Sequence, residues 1–171
     1  MVHLYYGYGK GKTTAAAGIA LRTLGHSGRV IFCQFMKDGS SGEVTALGAF
    51  ENCVCMSAPE TARFTWNMTN EDRLISKKII DSLFDAAVLK AVKERADMLV
   101  LDELVGRISA GYLDEETVLD RLMEVRGLFE IVITGHAPSE RLIGFCDYVT
   151  HMEKDKHPFD LGEAAREGIE Y

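Results

Sequence analysis

Only four cysteines occur in the 171 residues, and Cys33, Cys53, Cys55 and Cys146 are too few and too apolar in setting for a secreted disulfide framework. Cys53-Val54-Cys55 also lacks the two-residue spacer of a zinc knuckle, so buried reduced thiols are expected. No stretch approaches the roughly 18 consecutive apolar residues of a membrane span. A Gly/Lys-rich loop is reached within a few residues of Met1, which speaks against a signal peptide and makes a cytoplasmic location the expectation. Repeats, linkers and low-complexity segments are missing as well. A single domain over residues 1–171 is therefore expected, within the usual domain size of about 100–200 residues. A chain of this size buries roughly 70% of its unfolded surface and needs no disulfide or metal staple. Its 47% apolar and 26% charged residues are ordinary globular usage and disfavour disorder.

Acidic residues are absent from residues 1–37, which hold Lys10, Lys12, Arg22, Arg29 and Lys37. The rest of the chain carries all 26 carboxylates against 14 basic side chains, for a net charge of −7 overall. This distribution argues against non-specific nucleic-acid binding and for one anion site built from the N-terminal segment, with a small phosphorylated ligand as its natural occupant.

Val2 to Tyr6 reads as a strand, residues 7–11 as a glycine loop, and Lys12 to Leu24 as a helix closed by Gly25. Arg29 to Phe35 is a nearly continuous apolar strand, the pattern of a parallel sheet covered on both faces. Cys53 to Met56 is a weaker third strand. From about Thr69 to Arg95, the recurrence of Ile75, Ile79, Leu83 and Ala86 or Ala87 predicts one long amphipathic helix. Met98 to Leu101 is a buried strand ending at Asp102-Glu103, and Glu130 to Thr134 is another. Between them Asp114 offers an N-cap to a helix with Val118, Leu122 and Val125 facing inward. Pro138-Ser139 opens a further helix, Tyr148 to Thr150 makes a sixth strand, and residues 153–171 form a tail of loop and short helix over the ligand edge. The fold class is α/β, a doubly wound, mostly parallel sheet of five to six strands with ligands beyond the carboxyl ends of the strands.

The strongest local signal is Gly7-Tyr8-Gly9-Lys10-Gly11-Lys12-Thr13-Thr14 between a strand and a helix, where a Walker A loop belongs. Such glycines let backbone N–H groups converge on phosphate oxygens. The helix N-terminus adds partial positive charge, Lys12 neutralises, and Thr13 is placed to ligate Mg²⁺. The strict pattern would need Gly where Tyr6 stands, and the glycines instead cluster at 7, 9 and 11. The carboxylates of such a site come from Asp102 and Glu103, which end a buried strand in Walker B fashion and would hold Mg²⁺ directly or through water. Phe64-Thr65-Trp66 places the only Trp beside a Phe in an otherwise polar loop, either pinning that loop to the core or facing a flat hydrophobic ligand. Thr134-Gly135-His136 ends a strand at the same edge, within reach of the ligand.

Together these residues resemble the P-loop (RecA-like) type of corrinoid adenosyltransferase. The likeness runs through Gly7–Thr14, Gln34–Lys37, Gly42-Glu43, Phe64–Trp66, Leu99–Leu104, Ile133–Gly135, Lys156–Asp160 and Gly168–Tyr171. It implies transfer of the 5′-deoxyadenosyl group of ATP to cobalt(I) of cob(I)alamin or cob(I)yrinic acid a,c-diamide, with triphosphate released. It further implies ATP along residues 7–14 and His136, Mg²⁺ on Thr13, Asp102 and Glu103, and Phe64 and Trp66 keeping the lower corrin face free of ligand. Lys12, Phe64 and Trp66 would then carry the chemistry, with a flavin-type reductase as electron donor and a homodimer as the assembly. Two departures stand out: many members have Asn or Asp in place of Tyr8, and Arg in place of His136, whose charge is not permanent. A conventional P-loop phosphohydrolase or kinase, and a nucleotide-gated corrinoid carrier, remain the alternatives.

Overall fold

The computed structural model describes residues 1–37, 39–59 and 69–169. Six parallel strands, β1 (Val2–Tyr6), β2 (Val30–Gln34), β3 (Cys53–Ser57), β4 (Met98–Asp102), β5 (Glu130–Gly135) and β6 (Tyr148–His151), form one sheet in the order β3-β2-β4-β5-β1-β6. The connecting helices are α1 (Lys12–Gly25), α2 (Gly42–Gly48), α3 (Asn70–Lys93), α4 (Leu104–Ser109), α5 (Glu115–Glu124) and α6 (Glu140–Phe145). The tail carries a 3₁₀ turn, Pro158–Leu161.

Burial explains the apolar runs. All five residues of β2 and of β4 are buried, because their side chains alternate between two cores. Ile31, Cys33, Leu99 and Leu101 meet α3, α4 and α5 through Ile80, Phe84, Leu104 and Leu122. Val30, Phe32, Met98 and Val100 meet α1 and α2 through Ala16, Ala20, Leu24 and Leu47. Fully burying one such aliphatic or aromatic side chain is worth about 1.5–3 kcal/mol. The doubly wound parallel sheet is thus as the sequence predicts, and no helix among the described residues is long and apolar enough to cross a membrane.

Register then decides what shares an edge. Tyr6 lies opposite Gly135, and Gln34 opposite both Asp102 and Ser57, so the residues at the carboxyl ends of five strands line up. Asp114 caps α5 through the Thr117 N–H, as its position predicts, and Thr69 caps α3 in a reciprocal capping box with Asp72.

Two expectations are corrected. The buried face of α3 runs through Ser76, Ile80, Phe84, Ala87 and Ala91, with Ile79 and Leu83 of the predicted stripe partly buried against the same core, whereas Ile75 is 50% exposed and lies off it. This helix also exposes Leu74 and Leu89, so its apolar residues fall on more than one face and periodicity alone cannot pick the buried one. Short α2 and α4 were not legible, since neither is long enough to show a period. All four cysteines are free, but Cys55 and Cys146 are only partly buried.

Candidate active site

The phosphate loop is shaped by what lies beneath it. The Gly7 N–H donates to the His136 carbonyl at 2.9 Å, and the Gly9 N–H to the Met152 carbonyl at 2.8 Å. A Cβ on Gly7 would stand 2.4 Å from the Met152 carbonyl oxygen, and one on Gly9 would stand 2.4 Å from that of Glu153. Glycine is therefore required at 7 and 9 because the chain leaving β6 crosses directly under the loop. Tyr6, where the strict Walker pattern wants glycine, is still part of β1 and pairs with Gly135 and His151.

Helix α1 starts without a side-chain cap, at Gly11 with φ 114°, and with no acid in its first turn. Its first intrahelical bond runs from the Ala15 N–H to the Gly11 carbonyl at 2.7 Å. The amides of Lys12, Thr13 and Thr14 precede that bond and form a ready anion site. Lys12 is buried, and its Nζ donates to the Gly9 carbonyl at 3.0 Å, so the ammonium is held against its own loop.

The acid pair sits across from it. Asp102 is 1% exposed and accepts from the Thr134 hydroxyl at 2.7 Å, from Gln34 Nε2 at 3.2 Å and from the Thr13 hydroxyl. Glu103 takes a left-handed conformation, φ 60°, as α4 begins, and its N–H donates to Thr134 Oγ1 at 2.8 Å. Its Oε2 is buried with no hydrogen-bond partner among the described residues. Burial pushes both carboxyls above their ordinary range, and the neighbouring Asp102 charge raises Glu103 further. An orphaned carboxylate oxygen beside a second buried carboxylate and the Thr13 hydroxyl is an all-oxygen donor set that suits a hard divalent cation.

Sequence reasoning did not single out the support of this pair. Gln34 accepts from Ser41 Oγ at 3.0 Å and donates to Glu43 Oε1 at 3.0 Å as well as to Asp102. The same Glu43 oxygen receives Lys37 Nζ at 3.0 Å. Gln34, Lys37 and Glu43 lie in segments that carry the family resemblance, which was the signal available for them.

Residues 8–14, Lys37, Glu43, Glu103 and His136 line one pocket of about 700 Å³. His136 Nδ1 lies 3.2 Å from the Gly7 carbonyl, and its ring stacks on that of the exposed Tyr8 at 5.4 Å. His157, Gly168 and Ile169 of the tail also line the pocket. Of the predicted site residues, Gly7–Thr14, Asp102, Glu103 and His136 converge here, whereas Phe64 and Trp66 fall outside the described residues. The convergence of anion-binding amides, lysines and paired acids suits a metal-bound polyphosphate.

A family model described as ATP:corrinoid adenosyltransferase BtuR/CobO/CobP matches residues 1–171. A corrinoid adenosyltransferase of Pseudomonas aeruginosa is 31% identical, with 98% of this chain and 82% of that protein covered. The corrinoid adenosyltransferase CobA of Salmonella typhimurium is 32% identical, with 100% and 85% covered. Among solved structures, a KaiC-like protein from Pyrococcus horikoshii OT3 aligns at a TM-score of 0.49 and 16% identity over 91% of this chain and 74% of that one, too distant to carry an argument.

Proposed function

This chain belongs to the ATP:corrinoid adenosyltransferase family, and from that premise we propose that it transfers the 5′-deoxyadenosyl group of ATP to cobalt(I) of a corrinoid. The cobalt(I) electron pair attacks the 5′-carbon of ATP. A Co–C bond forms, the C5′–O bond breaks, and the triphosphate leaves with that bond's electrons. Cobalt(I) is nucleophilic enough to need no general base, so the protein's tasks are alignment, charge stabilisation and exclusion of water.

Glu103, which lines the same pocket as the phosphate loop and whose buried Oε2 has no hydrogen-bond partner among the described residues, carries the site assignment. Thr13, Asp102 and Glu103 would hold Mg²⁺, which when bound neutralises charge on the leaving triphosphate. The amides of residues 12–14 orient the phosphate chain, and Lys12 exchanges its Gly9 carbonyl for a phosphate oxygen. Lys37 and His136 stand at the pocket wall for further phosphate contacts. Phe64 and Trp66 are read as the aromatic wall of the corrinoid side. Their replacement by Ala should impair turnover more when cobalt(II) must be reduced on the enzyme than when cobalt(I) is supplied. We read the assembly as a cytoplasmic homodimer served by a flavin-type reductase.

Incubation with ATP, Mg²⁺ and a chemically reduced corrinoid tests this reading, with adenosylated corrinoid and triphosphate as the expected products. Corrinoid-independent release of inorganic phosphate would instead assign a phosphohydrolase. Nucleotide-dependent corrinoid binding without any product would assign a carrier.

A further inference from the structure

Arg107, in α4, is the largest of the fully buried side chains among the described residues, at 1% exposed. Taking a guanidinium out of water is expensive, so what holds an arginine here is bonding that an apolar side chain cannot supply. Its Nε donates to the Phe35 carbonyl at 2.8 Å, and its guanidinium lies over the Tyr112 ring, 5.2 Å from the centroid. The Arg107 carbonyl in turn accepts from the N–H groups of Tyr112 at 2.9 Å and Leu113 at 3.3 Å, so the backbone and the ring are tied to the same residue.

The bond to Phe35 replaces a rung that the sheet cannot make. Strand β2 ends at Gln34, opposite Asp102, and one further rung runs from the Phe35 N–H to the Asp102 carbonyl at 3.0 Å. A parallel ladder would next bring the N–H of residue 104 to the Phe35 carbonyl. Glu103, with its φ of 60°, instead turns the chain into α4. Arg107 Nε, from the second turn of that helix, takes the place of the lost donor.

Both ends of this link reach the pocket. Lys37, two residues beyond Phe35, bonds Glu43 at 3.0 Å, and both side chains line the pocket wall. Glu103, four residues before Arg107, lines the same pocket. Between the two ends the packing is close, since a Cβ on Gly106 would stand 3.0 Å from Met36 Sδ and 3.4 Å from Glu103 Oε2. We infer that Arg107 is a positioning residue of the active site: by fixing the exit of β2 against α4, it sets where Lys37 and Glu103 stand on the wall that receives a metal-bound polyphosphate. The link between β2 and α4 stands on geometry alone, whereas the identity of the ligand rests on the function proposed above.

The test uses the full-length protein and Arg107→Met, which keeps an unbranched chain and removes the donor. Hydrogen exchange read by mass spectrometry should show the amides of residues 34–37 losing protection well beyond the rest of the sheet, and Mg²⁺–ATP should bind several-fold more weakly. Leu24→Ala, a buried position in the last turn of α1 at the far end of that helix from the phosphate loop, is the control for lost stability alone. It should lower melting with exchange rising evenly and Mg²⁺–ATP affinity unchanged. Should Arg107→Met not fold, Arg107→Lys keeps the buried charge and is read in the same assays. An ammonium has no flat face to stack on Tyr112 while donating sideways to Phe35, so the exit of β2 should loosen there too. Native protection at residues 34–37 in a folded Arg107 variant would overturn the link. A loosened exit with native Mg²⁺–ATP affinity, the same pattern in Leu24→Ala, or failure of both Arg107 variants to fold would overturn its positioning role. Failure of the unmodified protein to bind Mg²⁺–ATP or to transfer an adenosyl group would bear only on the proposed function, because the exchange measurement does not depend on it.

Discussion

Thr134 clamps Asp102 from the neighbouring strand, its hydroxyl donating to Asp102 Oδ1 at 2.7 Å. The same oxygen accepts from the Glu103 N–H at 2.8 Å, so one hydroxyl orients the first acid and fixes the backbone turn at the second. Thr134→Val keeps the shape and removes both bonds. A buried polar group left without a partner costs about 1–3 kcal/mol. The variant should melt lower and need more Mg²⁺ for half-maximal ATP binding, while Thr134→Ser retains both properties. Thermal melts across a Mg²⁺ titration check this, and an unaltered Mg²⁺ requirement in folded Thr134→Val would count against the clamp.

Lys12 faces the loop rather than open solvent, bonded to the Gly9 carbonyl. Lys12→Ala should reduce adenosyl transfer by about 10²–10³, the usual loss when one preorganised charge contact is removed. Melting should fall only modestly, since a single hydrogen bond contributes about 0.5–1.5 kcal/mol net. Single-turnover rates decide it, and a loss below about threefold would mean that the lysine does not meet the triphosphate in the productive complex.

The sheet, the loop and both acids were legible because each is local: an apolar run marks a strand buried on both faces, and a glycine cluster between strand and helix marks an anion site. Gln34 and Glu43 were not, because their role depends on which strands become neighbours. Gln34 reaches Asp102 only because β2 lies beside β4. The same holds for the glycine spacing, which departs from the strict Walker pattern for a reason the sequence hides, the backbone of Met152 and Glu153 passing under the loop. Phe64 and Trp66 stood out by composition, and their place lies outside the described residues.

Two glycines of the same loop–helix unit should respond in opposite directions. On Gly9 a Cβ would meet the backbone oxygens of Glu153 at 2.4 Å and Met152 at 2.7 Å, neither of which can swing away. Gly9→Ala should therefore displace the loop, lower melting and weaken ATP binding several-fold. Gly18 lies inside α1, and a Cβ there meets nothing within 4 Å. Gly18→Ala should stabilise by about 0.5–1 kcal/mol through backbone entropy alone. Parallel melts and nucleotide titrations of the two variants check the contrast, and equal effects would show that the β6 exit does not shape the loop.

Glu103 gives the protein a pH dependence with a definite sign. Burial, with the Asp102 charge added, raises its proton affinity in the folded state above that of an ordinary carboxyl, about 4.3. Above that ordinary value the unfolded chain has released this proton while the metal-free folded protein still holds it, so the folded state binds more protons. Stability then falls as pH rises through the window between the two pKa values. A divalent cation competes with the proton for the same oxygens, and its stabilising effect should grow over the same window. Melting temperatures measured across pH in chelator and in Mg²⁺ should diverge upward from the acidic end. Glu103→Gln has no proton to lose there and should show a flatter profile in chelator and a smaller gain from Mg²⁺. A variant profile parallel to the unmodified protein would place the raised proton affinity on another group and remove Glu103 from the metal site.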